Sequence, residues 1–306
     1  MTVVHILAYA AILSFVIVVL IKAFKYKSTP IHMRWELYPV AHEKGRASYG
    51  GSIFEESDWW TKPREKDRFN ELKEMFEEIV LLKGVFHNNR KLWFSSFPFH
   101  LGLYLVIGWL VLLIVSAILS LCGVGITAQG GFLGGLVFQV TSVVGYIGLA
   151  CTTVGAAGLL LTRLASSTMK KFNTPIEYFN LAFVGGITLF ALIASLSADP
   201  GFIAQRDFVK SLLTLGSADV TLPSTVIQVE IVAAMLLLAY MPLTRMSHFV
   251  AKYFLYHEVR WEDEPNKRGS KIESRVQKAL NFGVSWDGPH IQSGKNWGEV
   301  ITENKE

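Results

Sequence analysis

Three side chains in this sequence could do chemistry inside an apolar environment: His100, His248 and Glu230. His100 stands in Phe97-Pro98-Phe99-His100-Leu101-Gly102, at the start of one apolar run. His248 closes Pro242-Leu243-Thr244-Arg245-Met246-Ser247-His248, at the end of another. These runs are the second and the fifth of five. In antiparallel spans, the start of the second and the end of the fifth lie on one side, so the two imidazoles are expected at one depth. Two imidazoles at one depth on separate helices are what axial ligation of a b-type haem requires. An imidazole in lipid is costly without a partner, which makes each a functional candidate. Either histidine alone reads equally as a satisfied interfacial side chain; the pair carries the haem expectation.

Their neighbours extend it. Gly102, two residues after His100, is expected to give a flat porphyrin close access to the helix surface. Arg245 lies about one turn before His248, placed either to pair with a haem propionate or to anchor the helix end at the interface. Glu230 precedes His248 by 18 residues. On a continuous helix that is five turns, about 27 Å, which would put it on the His248 face near the opposite membrane surface. A carboxyl group there is either a hydrogen-bonded structural residue or a proton acceptor for a quinol.

The elements that must position these residues follow from hydropathy. Mean hydropathy is +0.35 and 51% of the residues are hydrophobic, yet the 306-residue chain carries 29 Lys and Arg and 25 Asp and Glu. The charges leave long stretches empty, as in an integral membrane protein. Apolar runs cover residues 3–21, 98–121, 134–161, 178–196 and 225–243. Each is near the roughly 20 residues a helix needs to cross hydrocarbon. The expected fold is an all-α membrane protein, a five-helix transmembrane bundle in which 98–260 holds the four helices that carry the haem. The first run lacks a basic start and a small-residue cleavage site, so it reads as a retained anchor, residues 1–21. Of the 29 basic residues, 27 fall on one side of this topology. The positive-inside rule then puts the N-terminus outside and the C-terminus in the cytoplasm of the inner membrane. The net charge of +4 reflects that asymmetry and anionic lipid headgroups, not nucleic acid.

Two polar regions flank the bundle. The loop 22–97 holds an extended, aromatic-rich stretch over 31–58 and an amphipathic helix predicted over 67–93, with Phe69, Leu72, Met75, Phe76, Ile79 and Val80 on one stripe. The tail 261–306 has no apolar run long enough for a core. A short helix is expected at 270–280 and irregular chain elsewhere, its aromatics pressed against a partner subunit. Small residues crowd the third run, which reads as close helix packing in preference to a cofactor groove. His32, His42, His87, His257 and His290 read as surface histidines. His5 opens span one with no second outer histidine to pair with. Cys122 and Cys151 are too few for an iron–sulfur centre, and no Cys-x-x-Cys-His attaches haem covalently.

Five spans, Phe-His-x-Gly opening span two and Pro-x-Thr-Arg-x-x-His closing span five resemble the gamma subunit of respiratory nitrate reductase. The Arg-Trp-Glu-Leu-Tyr-Pro and Trp-Asp-Gly-Pro-His stretches look closer to related cytochromes b. Those are the membrane subunits of the Dsr and Tmc complexes of sulfate reducers and of the methanogen heterodisulfide reductase. The resemblance covers nearly the whole chain. It implies that His100 and His248 are the cytoplasmic-side haem ligands. The positions of the family's outer pair hold Leu110 and Glu230, which implies one haem b in place of two. It further implies electron exchange between a quinone, menaquinone, and a cytoplasmic iron–sulfur subunit of heterodisulfide-reductase type in anaerobic respiration. Other membrane redox subunits and, outside, a multihaem cytochrome c are expected companions. The rival expectation is a haem-free membrane anchor or transporter subunit with Glu230 on a proton or solute path.

Overall fold

The computed structural model describes residues 2–28, 41–216 and 224–303. Within them the regular structure is helical, with isolated backbone bridges in place of strands. The helices are α1 (Val3–Ser28), α2 (Arg68–Val80), α3 (Lys83–Asn88), α4 (Arg90–Leu121), α5 (Phe132–Ala165), α6 (Ser167–Phe172), α7 (Pro175–Ala198), α8 (Ile203–Leu213), α9 (Thr225–Tyr240), α10 (His248–Phe254), α11 (Lys271–Leu280) and α12 (Trp297–Thr302). Among the described residues, five segments are long and apolar enough to cross a membrane: α1, α4, α5, α7 and Thr225–Leu243, which is α9 with the short turn after it. That is the make-up of a multi-pass membrane protein. Side chains such as Ile107, Val143, Ile193 and Val229 stand more than two-fifths exposed on these helices, as suits surfaces solvated by lipid tails.

The chain divides into two compact units. The first joins Met1–Val16 to Met75–Leu243, the second Ile17–Glu74 to Thr244–Glu306.

In the first unit α4 and α5 interlock in antiparallel register. A Cβ added at Gly102 would lie 2.3 Å from the Thr152 nitrogen, one at Gly155 2.3 Å from that of Phe99, and one at Gly148 3.0 Å from that of Val106. Small residues here let two backbones meet, which is how helices associate where lipid offers no hydrophobic drive. At Gly102 the missing side chain makes room for Thr152, so this glycine serves the approach of the two helices. Two apolar clusters complete the unit. Ala8, Ala194, Ala204, Phe208, Ile227 and Ile231 form one; Trp109, Leu113, Leu149, Ala191 and Phe202 form the other.

Three expectations about elements need revision. The helix predicted over 67–93 is broken: α2 stops at Val80, Leu82 takes a left-handed φ of 54°, and residues from Arg90 onward already belong to α4. Trp93 Nε1 donates to the Leu81 carbonyl at 2.9 Å and secures the break. The fifth span is also interrupted. α9 ends at Tyr240, Pro242 sits in a 3₁₀ turn, and Thr244 is extended. Proline removes a helical donor and crowds the preceding turn, so the five-turn count from Glu230 to His248, and the shared face it implied, do not hold. Finally, residues 203–213, read as part of a loop, form the buried helix α8. Of the aromatic-rich stretch 31–58, residues 31–40 lie outside the described residues; 41–58 forms turns and short 3₁₀ segments.

In the second unit, α11 begins on a Ser270 cap that accepts from Glu273 N at 3.1 Å, matching the helix expected there. The remainder of the tail is more regular than its sequence suggested. Val284 and Trp297 exchange backbone bonds with Lys295, Gly294 and Phe282, and Asn296 with Glu299 builds a capping box on α12.

Candidate functional site

His100 lies within α4, partly buried. Its Nδ1 is 2.8 Å from the Ser96 carbonyl, one turn back. A carbonyl can only accept, so Nδ1 carries the proton and Nε2 carries the lone pair. His248 opens α10 in the second unit. Its Nδ1 is 3.2 Å from the Arg245 carbonyl, which sets the same tautomer. The turn before it is held in place: Lys22 Nζ donates to Ser247 Oγ at 2.6 Å, and Thr244 Oγ1 accepts from Met246 N at 3.1 Å. Arg245 thus reaches His248 through its backbone, in a 3₁₀ turn, with its own side chain exposed. A backbone partner on one ring nitrogen is the usual way a ligating imidazole is oriented. Leu110 is 41% exposed, on the outer face of α4. Among the described residues, no three or more His, Cys, Asp or Glu gather as a metal site.

A polar cluster surrounds Glu230 in the first unit. Glu230 is 3% exposed, and its Oε2 accepts from Gln205 Nε2 at 2.7 Å. Gln205 comes from α8, whose start is tightly determined. Asp199 accepts from the Ile203 and Ala204 amides at 3.0 and 2.9 Å, while Phe202, fully buried with a left-handed φ of 59°, wedges between Trp109 and Tyr146. A bulky residue in that region is strained and needs its surroundings to hold it. Arg206 provides that hold by donating to the carbonyls of Gly201 and Phe138 and to Ser142 Oγ. Burial lowers the Arg206 guanidinium to about 10 despite Asp199 nearby, which leaves it charged at neutral pH. Burial raises the Asp199 carboxyl, against the pull of its backbone bonds and Arg206. Among the described residues, Gln205 Oε1 and Trp109 Nε1 are buried without a hydrogen-bond partner. The arrangement offers one carboxyl group, oriented by one amide, in a setting from which water is largely excluded.

His5 belongs to the same unit and is structural. Nε2 is 2.8 Å from Ser211 Oγ and Nδ1 2.7 Å from Thr2 Oγ1, so both ring nitrogens are engaged. His42 corrects a reading of the sequence: it is not a surface histidine but 4% exposed, its Nε2 2.9 Å from Asp263 Oδ2. Arg64 donates to the other Asp263 oxygen at 2.5 Å. His257 is half-buried against Glu71. Set against protein-family models, curated proteins and solved structures, the chain matches none.

Proposed function

We propose that this chain is a haem b-carrying membrane subunit that passes electrons between menaquinone and an iron–sulfur subunit in the cytoplasm. The observation that carries the reading is the tautomer of the two histidines. Each turns Nδ1 to a backbone carbonyl, which makes Nε2 the nitrogen able to ligate iron. With haem bound, His100 and His248 would hold its iron, and Arg245 would meet a propionate. The haem supplies one-electron exchange; the protein supplies position and electrostatics. Positive-inside asymmetry favours an inner-membrane orientation with the 22–91 loop and the tail in the cytoplasm, where they would receive the partner. Glu230 would exchange a proton with a quinone ring oxygen, and Gln205 would orient its carboxyl for that step. The visible absorption spectrum of the purified protein, with haem quantified against protein, is the test. One haem b per chain is expected, lost in both His100→Ala and His248→Ala. A ratio near two, or an unchanged spectrum in either variant, rejects the assignment.

The burial of Glu230 favours a second reading, a haem-free anchor or transporter subunit with Glu230 on a proton path. It predicts no haem absorption in the native protein and proton uptake that depends on Glu230.

A further inference from the structure

We infer that the second unit carries a binding site for a small organic ammonium ion, in the cleft between the 54–60 aromatic turn and the 262–266 segment. The cleft has a volume of about 330 Å³ and is lined by Phe54, Trp59, Trp60, Glu262, Glu264 and Asn266, among others. That size lies at the small end of the range of about 300–1,000 Å³ usual for small-molecule sites.

Its aromatic wall is built from mutually tilted rings. Phe54 and Trp59 meet at 4.5 Å and 73°, Trp59 and Trp60 at 6.1 Å and 85°. Successive near-perpendicular rings turn ring faces and edges in different directions around one space, and ring faces attract organic cations. The wall is held before any ligand arrives. Ser52, fully buried, accepts from Phe54 N at 3.3 Å and donates to Glu43 Oε1 at 3.0 Å. Glu56 pairs with Arg46 and Lys62, and Thr61 N bonds to the Asp58 carbonyl at 2.9 Å.

The opposite wall is acidic. Asp263 is neutralised by His42 and Arg64 and anchors the segment. Glu262 and Glu264 differ. The Glu264 amide donates to Glu262 Oε1 at 2.9 Å, which keeps the two residues close, and among the described residues no ion pair reaches either carboxylate. Glu262 and Glu264 line the same cleft as the three aromatic rings, while Arg64 beside them is taken up by Asp263. A hard metal ion would need about six or more converging oxygens, which the ring wall cannot give. A soft organic cation satisfies both walls, charge on one side and ring faces on the other. The same ammonium could be free in solution or sit on a lipid headgroup.

The test uses the full chain in nanodiscs of phosphatidylglycerol, with choline titrated by calorimetry and 3,3-dimethylbutanol, its uncharged isostere, alongside. Saturable choline binding with at least tenfold weaker uptake of the isostere is expected. The paired Glu262→Gln and Glu264→Gln changes should weaken choline at least fivefold. Trp60→Leu, at a ring already 46% exposed and so tolerant of change, should also weaken choline. In discs containing phosphatidylcholine, a lipid source predicts that free choline is outcompeted, and a soluble source predicts unchanged binding. No saturable binding, equal binding of the isostere, or indifference to the carboxamide changes would overturn the site.

Discussion

Glu230 and Gln205 share one hydrogen bond inside the first unit, and what they can do turns on a proton. Glutamine at 230 keeps the shape and the bonding partner but cannot carry that proton. Under the proposed function, the Glu230→Gln protein is expected to assemble and keep a haem spectrum while quinol turnover falls by about 10²–10⁴-fold, the usual worth of a positioned acid or base. Stopped-flow reduction by a menaquinol analogue measures it, and wild-type turnover would leave Glu230 a structural residue. This site was half legible in the sequence. An acid in an apolar run stands out because its burial is costly. Gln205 and Arg206 do not stand out, because polar residues between two spans read as solvent-exposed loop. Their burial depends on Phe202 wedging between Trp109 and Tyr146, a tertiary contact with no local signature. The same holds for His42, whose partner Asp263 lies 221 positions away.

At the scale of elements, hydropathy located the five long apolar helices found among the described residues, because a run of about 20 apolar residues has few alternatives to a spanning helix. Helix ends and breaks were less accessible. α4 begins well before its apolar run because Asn89 caps it, accepting from Leu92 N at 3.1 Å, and the chain tolerates polar residues in that first turn. The break before His248 had a visible cause in Pro242, yet a proline also occurs inside α4 at Pro98 without ending it. Glycines show why residue type alone does not assign a role. Gly102 and Gly108 lie on the same helix, but only Gly102 faces another backbone; nothing lies within 4 Å of a Cβ at Gly108. Gly102→Leu should force α4 and α5 apart at a cost of about 1–3 kcal/mol or more, and Gly108→Leu should be close to neutral. Thermal unfolding of the two variants in one detergent measures the difference. Equal melting temperatures would mean that the α4–α5 contact adds little to the bundle's stability.

At the scale of the molecule, the two units are expected to answer acid in opposite directions. In the second unit, Asp263 is held below the usual carboxylate range. Burial pushes its carboxyl up, but the His42 hydrogen bond and the charges of His42, Arg64 and Lys66 outweigh that. A carboxyl depressed by folding contributes stability above its unfolded value, near 3.9, and that contribution is lost as pH falls through the lower folded value. His257 in the same unit is depressed from 6.5 mainly by burial, with Glu71 offsetting only part. An imidazole depressed by folding binds fewer protons than it does unfolded, so stability begins to fall as pH drops below 6.5. Both groups therefore weaken the second unit on acidification, His257 first and Asp263 at lower pH. In the first unit Asp199 runs the other way. Its carboxyl is raised by burial, so its cost at neutral pH is relieved as it takes a proton. A global melting curve would blend the two responses. Hydrogen exchange read segment by segment separates them: protection of 41–67 and 255–263 should fall as pH drops below about 6.5 and again below about 3.9, while that of 199–213 holds or rises. His257→Gln should remove the early part of the loss. Arg64→Leu should destabilise the second unit at neutral pH by about 1–3 kcal/mol, the worth of one charge-assisted hydrogen bond, because Asp263 keeps His42. Protection that falls equally in both units would show that acid acts on the bundle as a whole and not through these groups.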